Sequence, residues 1–225
     1  MSGEATISPR GRAFPWRAVW PWAVFVSAVL VGFSLDWPVY RAVPDLPNPP
    51  LAVAIVGVIH RYGTQTLYFI ISIPLMLAAG YALKDYRAVF TGWAGCVAAA
   101  FTASLTQLLK HTTGRARPAA ITHETATPGF HGPATANSFH SFPSGDAAAA
   151  FCFAYIIGHY SPTLRWPLYV LAGLIALGRV LMEAHFASDI IAGAGVGTLA
   201  GWVGVQVADI VRQRRASRAD PPAAG

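Results

Sequence analysis

Long apolar stretches alternate with short polar segments along most of the chain. A helix that crosses a bilayer needs about 20 mostly apolar residues, and six stretches approach that length. Short segments containing proline, glycine or charged residues separate them, so the pattern predicts an all-α bundle of six transmembrane helices. The predicted spans lie near residues 18–35, 64–83, 88–109, 144–160, 164–181 and 187–210.

The segments outside the predicted spans differ in kind. Residues 51–59 are apolar but too short to span, and they follow a proline-rich stretch. This favours a helix lying on the membrane surface. Residues 1–14 and 212–225 are polar and predict disordered cytoplasmic tails on either side of one membrane domain, residues 15–211. Residues 111–142 are rich in Thr, Pro, Gly and His without helical periodicity, which predicts a loop or lid.

Composition supports lipid as the solvent. Hydrophobic residues make up 54% of the 225-residue chain and charged residues only 12%, whereas soluble domains carry about 25% charged residues. Such a chain cannot cover a globule with solvated side chains, which excludes disorder and argues against a soluble enzyme. Cys96 and Cys152 both lie inside apolar stretches, so no disulfide framework is indicated.

The basic residues are distributed asymmetrically. Six spans place ten of the 16 Lys and Arg residues on one side of the membrane, and only Arg41 and Arg61 oppose them among the ordinary surface charges. The positive-inside rule makes the side with ten residues cytoplasmic, together with both termini. We therefore expect a multi-pass protein of a bacterial-type inner (plasma) membrane. The ten residues are Arg10, Arg12, Arg17, Lys84, Arg87, Arg165, Arg212, Arg214, Arg215 and Arg218.

The net charge of +6 therefore reflects this asymmetry. Basic tails of this kind contact anionic lipid headgroups, and nothing in the sequence resembles a nucleic-acid-binding fold. Four basic residues fall on the outer side, against the bias, and need another reason to be there. They are Lys110, Arg115, Arg117 and Arg179.

Three polar segments at the outer ends of predicted spans can serve phosphate chemistry. Lys and Arg side chains offer positive charge to a phosphate, and the Arg fork can bind two oxygens at once. Ser144 and Gly145 open a predicted helix, whose free N–H groups suit an anion. His185 and Asp189 are four residues apart and predicted on one helix face. A carboxylate there can hold the imidazole in one tautomer and leave its other nitrogen free to attack phosphorus.

These segments resemble the motifs of the type 2 phosphatidic acid phosphatase superfamily, the integral-membrane lipid phosphatases. The family motifs read Lys, six residues, Arg-Pro; then Pro-Ser-Gly-His; then Ser-Arg, five residues, His, three residues, Asp. The six-helix layout is also similar, so the resemblance covers about residues 15–211. The residues that match are Lys110, Arg117 and Pro118, then Pro143, Ser144 and Gly145, then Arg179, His185 and Asp189.

The resemblance implies a metal-independent phosphatase without a cofactor, whose active site lies at the outer membrane–water interface. His185 would be the nucleophile that forms a phospho-histidine, and Asp189 would orient it. Catalysis would rest on positioning and electrostatics. The residues implied in binding the phosphate are Lys110, Arg117, Ser144, Gly145 and Arg179.

The sequence departs from the family pattern at two positions. Gly178 replaces the Ser that begins the third motif, which removes at most a hydroxyl contact. Asp146 replaces the His that ends the second motif, the residue expected to protonate the leaving oxygen. An ordinary Asp is a poor acid at neutral pH, but a neighbouring phosphate dianion would favour its protonated form. Asp146 is therefore kept as the candidate general acid.

The replacement at position 146 favours one class of substrate. A pyrophosphate leaves as a weakly basic phosphate, whereas a monoester leaves as a strongly basic alkoxide that needs a proton. We therefore predict a lipid pyrophosphate, such as a polyprenyl pyrophosphate, as substrate. The alternatives are a monoester phosphatase acting on a lipid A- or phosphatidate-type lipid, a lipid phosphotransferase with the same residues, and a non-catalytic phosphate-lipid binding or transport protein. The sequence does not indicate the oligomeric state.

Several nearby residues have open roles. Arg115 either contacts phosphate or faces headgroups and solvent. Glu183 is interpreted as a polar partner of a basic residue, and His140 as a loop residue rather than a substitute acid. Asp146, Glu183, His185 and Asp189 could be drawn as a divalent-metal site, but the adjacent cations would repel a metal. Glycines at 193, 197 and 201 recur every four residues and predict close helix packing inside the bundle rather than a homodimer seam.

Overall fold

The computed structural model describes residues 16–45, 58 and 71–219. Within these ranges the regular elements are helices, and pairing between extended segments is limited to one isolated bridge between Arg115 and Phe130. The all-α prediction is therefore confirmed for the described chain. The helices are α1 (Trp16–Ala42), α2 (Ile73–Ala82), α3 (Tyr86–Thr113), α4 (Pro118–Thr122), α5 (Gly145–Tyr160), α6 (Arg165–Leu181) and α7 (Ala187–Ala219), with 3-10 turns at Val43–Asp45, Asn137–Phe139 and Pro162–Leu164.

Four of the described helices are long and apolar enough to cross a membrane. They correspond to the first, third, fifth and sixth predicted spans, so the chain is a multi-pass membrane protein. α5 coincides with the fourth predicted span, but its 16 residues extend only about 24 Å. α2 is the described part of the second, so the count of six stays a prediction. The four long spans are Trp22–Ala42, Tyr86–Thr113, Pro162–Leu181 and Ala187–Arg214.

Two expectations concern the segments outside the spans. The predicted surface helix at 51–59 lies, apart from Val58, outside the described residues. The prediction of a disordered tail from residue 212 is wrong for residues 212–219, because α7 continues to Ala219. No glycine or proline follows Gly204 until Pro221, so nothing local ends the helix earlier.

Small residues let the helices of the bundle approach closely. α7 packs most extensively against α5 and next against α3, and α5 also packs against α6. A Cβ on Gly193 or Gly197 of α7 would meet the backbone carbonyl oxygens of Ser144 and Ala148 in α5 and its cap. The glycine stripe therefore serves packing inside the bundle, as predicted. The buried core of α3, α5 and α7 consists of Ala94, Ala98, Cys152, Ile156, Ala200, Val205 and Ala208.

This close packing brings the first turns of α5 and α7 together. The backbone N–H of Ser144 donates to the carbonyl oxygen of Asp189 over 3.0 Å. Ser144 is the N-cap residue of α5, and Asp189 lies in the first turn of α7. Two residues of separate sequence motifs are thus fixed to each other by the backbone.

The segment after α3 folds back over the same end of the bundle. Gly114 ends α3 in the left-handed conformation at φ +52°, a conformation that glycine adopts without steric cost. The chain returns beside it, because the N–H of His131 donates to the Gly114 carbonyl and the N–H of Ser141 donates to the Arg115 carbonyl, each over 3.0 Å. The predicted loop is irregular except for the last turn of α3, the short helix α4 and one 3-10 turn.

Candidate active site

The three sequence motifs meet at one end of the bundle. Lys110 lies in the last turn of α3, Asp146 in the first turn of α5 and Arg179 in the last turn of α6. The side chains of Lys110, Arg117, Asp146 and Arg179 are near enough for their charges to act on one another. The structure thus gathers three cations around one carboxylate, an arrangement with room for a further anion.

His185 lies in the loop between α6 and α7, not on α7 itself, which begins at Ala187. The interpretation of His185 and Asp189 as neighbours on one helix face is therefore wrong. The imidazole is 2% exposed, and its Nδ1 lies 2.7 Å from the carbonyl oxygen of Ser141. A carbonyl only accepts hydrogen bonds, so Nδ1 is protonated, and in the neutral ring Nε2 carries the lone pair.

The surroundings of His185 favour the neutral imidazole. Burial lowers the pKa of His185 below its ordinary value of 6.5, and the charges of Arg117 and Lys110 lower it further, while Asp189 acts in the opposite direction. A neutral ring with a fixed Nδ1–H is the form in which Nε2 is nucleophilic.

Asp189 reaches His185 through Ser141 rather than by a direct hydrogen bond. Its Oδ2 lies 3.8 Å from His185 Nδ1, beyond hydrogen-bond distance. The same oxygen accepts from Ser141 Oγ at 2.6 Å and from the Phe186 N–H at 2.8 Å. Ser141 therefore links Asp189 to His185, since its hydroxyl binds the carboxylate and its carbonyl binds the ring.

Sequence reasoning did not identify Ser141. It lies two residues before Pro143, where the second motif begins, and it belongs to none of the three motifs. Its role depends on the return of the 115–141 loop to α3, which places it between Asp189 and His185. The Ser141 side chain is fully buried.

Arg117 is held in place by loop backbone. Its Nε donates to the Asn137 carbonyl at 2.9 Å, and its terminal nitrogens donate to Asn137 Oδ1 at 3.1 Å and to the Ala184 carbonyl at 3.3 Å. A guanidinium has five N–H donors, so two remain for a phosphate. Burial, followed by the charge of Arg179, lowers the pKa of Arg117, which shows how closely the cations are crowded.

Ser144 and Gly145 form the start of α5. The Ser144 hydroxyl accepts a long 3.4 Å hydrogen bond from the Ala147 N–H, as an N-cap does, and both Ser144 and Gly145 are buried. The first N–H groups of a helix have no partner within the helix, and its positive dipole end favours anions. Asp146, in this first turn, is such an anion within the protein.

Asp146 forms an ion pair with Arg179, 2.9 Å between Oδ2 and the guanidinium nitrogen. In this geometry the carboxylate accepts hydrogen bonds and holds the arginine in place. Asp146 Oδ2 therefore faces the arginine as an acceptor, whereas a general acid would have to direct a proton toward the leaving oxygen. Asp146 lies beside the proposed phosphate ligands, as predicted, but it is placed as an anchor for Arg179.

Arg115 neither faces headgroups and solvent nor is placed as a phosphate ligand, the two alternatives that the sequence left open. It is 6% exposed and forms ion pairs with Asp189 and Asp36, both at 2.5 Å. Its guanidinium lies over the rings of Phe33, Phe130 and Phe186, at 5.1, 5.1 and 4.4 Å from their centroids. Arg115 is thus buried beneath the site and faces neither headgroups nor solvent.

Asp36 is a further buried partner that sequence reasoning missed. It is the only acidic residue of α1 and is 3% exposed. A carboxylate in a membrane-spanning helix is costly and usually functional, and that signal was present in the sequence. Asp36 accepts hydrogen bonds from the Ser188 N–H at 2.8 Å and from Ser188 Oγ at 2.7 Å.

The remaining candidates have loop partners. Glu183 accepts a hydrogen bond from Thr122 Oγ1 at 2.8 Å, so its observed partner is a hydroxyl and not a basic residue. His140 binds the Ala134 carbonyl at 3.0 Å and packs against the ring of His111. Among residues 16–45 and 71–219, no group of three or more His, Cys, Asp or Glu side chains is arranged to hold a metal ion.

Comparison with known proteins agrees with this geometry. The family model of the PAP2 superfamily matches residues 91–212, which contain all three motifs. The chain belongs to the PAP2 superfamily and is a membrane lipid phosphatase, a hydrolase of lipid phosphoric esters.

Individual relatives are more distant. The chain is 28% identical over 194 residues to a lipid A 1-phosphatase of Rhizobium etli, covering 81% of each protein. It is 27% identical over 179 residues to phosphatidylglycerophosphatase B of Bacillus subtilis, covering 74% of this chain and 79% of that protein. The crystal structure of a transmembrane PAP2-type phosphatidylglycerolphosphate phosphatase from Bacillus subtilis superposes with a TM-score of 0.59 at 21% identity, covering 87% of this chain and 98% of that one. This last similarity supports the fold.

Proposed function

We propose that the protein hydrolyses a lipid phosphate through a phospho-histidine at His185, and that its preferred substrates carry a weakly basic leaving oxygen. The observation that carries the nucleophile is the 2.7 Å hydrogen bond from His185 Nδ1 to the Ser141 carbonyl. It leaves the Nε2 lone pair for phosphorus. The observation that carries the substrate preference is the ion pair between Asp146 and Arg179.

The first step transfers the phosphoryl group to the protein. The Nε2 lone pair of His185 attacks the terminal phosphorus and the bond from phosphorus to the leaving oxygen breaks. The electron pair stays on that oxygen, which belongs to a phosphate when the substrate is a pyrophosphate and to the lipid alcohol when it is a monoester. The ring gains positive charge as the bond forms. Asp189, 3.8 Å from Nδ1, stabilises that charge, while the Nδ1 proton stays on the ring in its hydrogen bond to the Ser141 carbonyl.

The cations bind the substrate and the transition state. Lys110, Arg117 and Arg179 balance the charge of the three equatorial phosphoryl oxygens, and the first turn of α5 at Ser144 and Gly145 donates N–H groups to them. In the second step water attacks the phospho-histidine. The nitrogen–phosphorus bond breaks, inorganic phosphate leaves with the water oxygen, and His185 returns to its neutral form.

An apolar cleft beside these residues suits a lipid tail. Among the described residues it has a volume of about 730 Å³ and is lined by α1, α5, α6 and α7. It begins at Ile191, two residues along α7 from Asp189, and extends to Trp202. Eleven helical residues correspond to about 17 Å of depth in the membrane. A phosphate at the cations could therefore belong to a lipid whose chain lies in this cleft.

A polyprenyl pyrophosphate is the first substrate candidate. Its leaving group is a phosphate, which departs with little protonation. With Asp146 Oδ2 paired to Arg179, a substrate whose leaving group needs no proton from residue 146 fits this site best. A lipid phosphotransferase would use the same first step with another lipid in place of water.

A lipid A-type phosphatase activity is the second candidate, because a relative that aligns over 81% of this chain bears the name lipid A 1-phosphatase. Both candidates are compatible with the same nucleophile and cations. A phosphate on an anomeric carbon also leaves as a hemiacetal oxygen, which is less basic than an alkoxide. The two differ only in the lipid.

The proposed topology places both termini in the cytoplasm of a bacterial-type cell and the site on the periplasmic or extracellular side. The support is the distribution of basic residues, ten of the 16 against Arg41 and Arg61. Reporter fusions after residues 86, 165 and 212 should report cytoplasm, and a fusion near 125 should report the outer side. A cytoplasmic signal at 125 would contradict the topology.

The proposed function is tested by phosphate release in detergent from matched lipids. The panel contains a polyprenyl pyrophosphate, its monophosphate, lipid A and phosphatidic acid, each with wild type and His185→Ala. We expect release from the pyrophosphate or lipid A at rates at least about 10-fold above phosphatidic acid, abolished by the substitution. Release from no lipid, or equal release with His185→Ala, would refute the proposal.

A further inference from the structure

Asp36 of α1 and Arg115 form a buried ion pair outside the three sequence motifs. Arg115 binds Oδ1 of Asp189, whereas Ser141 Oγ binds Oδ2 of the same carboxylate. Arg115 donates one terminal nitrogen to Asp36 and the other to Asp189 and Ser188 Oγ. The guanidinium therefore bridges two carboxylates from different helices.

The pair also fixes the start of α7. Asp36 Oδ1 accepts from the Ser188 N–H at 2.8 Å, one of the N–H groups that α7 cannot satisfy itself. Asp189 accepts from the Phe186 N–H at 2.8 Å, so α7 is capped from within the turn and from α1 at once. Phe186 immediately follows His185. The position of His185 is thus connected to α1 by two consecutive caps.

A connected set of contacts leads from Asp36 to the nucleophile. Asp36 binds Arg115, Arg115 binds Asp189, the Asp189 carboxylate binds Ser141 Oγ, and the Ser141 carbonyl binds His185 Nδ1. These four hydrogen bonds are 2.5 to 2.7 Å long, and every member is buried. Because the network is buried, water does not replace a hydrogen-bond partner that is lost at one member, so the other members are affected.

We propose that Asp36 is a positioning residue for the phosphatase reaction: through Arg115, Asp189 and Ser141 it holds His185 in its Nδ1–H tautomer with Nε2 aimed at phosphorus. The proposal rests on the proposed role of His185. It makes α1 part of the catalytic apparatus, although α1 lies outside the residues 91–212 that the family model matches. Asp36 itself touches neither substrate nor the reacting atoms.

The alternative is that Asp36 serves only to hold α1 against the bundle. The two roles differ in what the substitution Asp36→Asn changes. Asn keeps the shape and one accepting oxygen, but its amide group opposes the N–H donors of Arg115. If the pair positions His185, the ring loses its single tautomer. If the pair only holds α1, the folded fraction falls and the ring in the folded protein stays the same.

The first measurement does not depend on substrate. The ¹⁵N chemical shifts of the histidine rings are recorded in detergent for protein with its seven histidines labelled, and His185 is assigned with His185→Asn. Wild type is expected to show one protonated Nδ1 and one unprotonated Nε2 on His185. Asp36→Asn should move both shifts towards the average of the two tautomers. This result holds or fails whether or not the correct lipid is known.

The second measurement is steady-state kinetics on the lipid that wild type hydrolyses. Asp36→Asn is expected to lower kcat per folded protein by about 10-fold to 100-fold, the size that small displacements of a catalytic group produce, with KM within about twofold. Asp209→Asn is the matched control. Asp209 is a carboxylate of α7, 20 residues along the helix from Asp189, where it pairs with His159 and Tyr160. Its replacement should leave kcat unchanged.

Unchanged ¹⁵N shifts and wild-type kcat in folded Asp36→Asn would overturn the proposal. A fall in activity that matches the fall in folded fraction, with unchanged shifts, would do so too. If Asp36→Asn does not fold, Ser188→Ala takes its place, since Ser188 Oγ donates to Asp36 and accepts from Arg115. It should give a smaller shift in the same direction, and no shift would count against the proposal. Hydrolysis of no lipid by wild type would instead refute the proposed function and leave the NMR result to judge Asp36.

Discussion

Two polar clusters lie at opposite ends of α5, and they are built differently. At the end with the motifs, Asp36, Arg115 and Asp189 are almost fully buried and joined by 2.5 Å ion pairs. At the other end His159 and Asp209 are 40% and 28% exposed and stand 3.4 Å apart. Both place charge in a membrane bundle, but only the first excludes water.

The difference shows why one cluster supports chemistry and the other does not. Exposed ion pairs contribute roughly 0–1 kcal/mol and are readily exchanged for water. A buried charged network is costly unless every member has its partners, so its geometry is strongly constrained. A nucleophile that is hydrogen-bonded to a buried charged network is held in position by it. The hydrogen bond of His185 to Ser141 is such an attachment.

The largest expected effect comes from the two histidines. His185→Asn should lower phosphate release by at least about 10³-fold, because it removes the lone pair that attacks phosphorus. His159→Asn is the matched control at the exposed cluster and should keep wild-type activity. Initial rates on the lipid that wild type hydrolyses check both variants. Similar losses in the two would mean that the clusters do not differ in function.

Arg115 offers the next largest effect. Arg115→Met leaves Asp36 and Asp189 as buried carboxylates without their cation, which typically destabilises by about 3–5 kcal/mol. Thermal unfolding in detergent should therefore show a clear drop in midpoint together with loss of turnover. Arg165→Met, at the exposed end where Arg165 donates to the Gly158 carbonyl, should cost less than about 1 kcal/mol. Equal midpoints for the two variants would contradict the account of the buried network.

The role of residue 146 gives a selective effect. Asp146→His should raise the rate on a lipid monophosphate by at least about 10-fold, since an imidazolium can protonate the basic leaving oxygen. The rate on the matching pyrophosphate should not rise, because its phosphate leaving group needs no proton and Arg179 loses its Asp146 partner. The ratio of kcat/KM for the two lipids is the measurement. An unchanged ratio would show that residue 146 does not govern leaving-group protonation.

The smallest expected effect is a displacement in pH. Burial lowers the pKa of His185 below 6.5, and the neutral ring is the reactive form, so the rate of phospho-enzyme formation should stay level from pH 8 to about 6.5. It should fall only below that, as the ring gains its proton. Titration of the substrate in the same micelles by ³¹P NMR separates its ionisation from that of the enzyme. A half-maximal rate at pH 6.5 or above would contradict the lowered pKa.

Much of the fold, and the meeting of the three motifs at one place, could be predicted from the sequence. The apolar stretches predicted where the long helices lie, although α1 and α7 continue to Ala42 and Ala219, past the predicted ends at 35 and 210. Glycines at 193 and 197 predicted close helix packing, which the structure shows between α7 and α5. The motifs predicted that Lys110, Arg117 and Arg179 lie near one another, and in the structure their charges interact. The hydrophobic pattern and the glycine spacing predict helices and their packing because a helix places residues three or four positions apart on the same face.

The connections between elements were not available in the same way. Ser141 and Asp36 are separated from Asp189 by 48 and 153 positions along the chain, and no local pattern pairs them. Arg115 lies outside the motif spacing, and the sequence did not decide whether it contacts phosphate or faces headgroups and solvent. The structure buries it against three phenylalanines. Asp146 could be named, but its ion pair with Arg179 depends on how α5 meets α6. Such contacts arise from tertiary packing.

The central claim, that His185 is the nucleophile, is tested most directly by trapping its covalent intermediate. Wild type and His185→Asn are mixed with ³²P-labelled lipid phosphate, stopped with alkali within the first turnover, and digested for mass spectrometry. The account predicts acid-labile, alkali-stable label on the peptide containing His185, attached to Nε2, and none in His185→Asn. Label on any other residue, or equal label in His185→Asn, would contradict it.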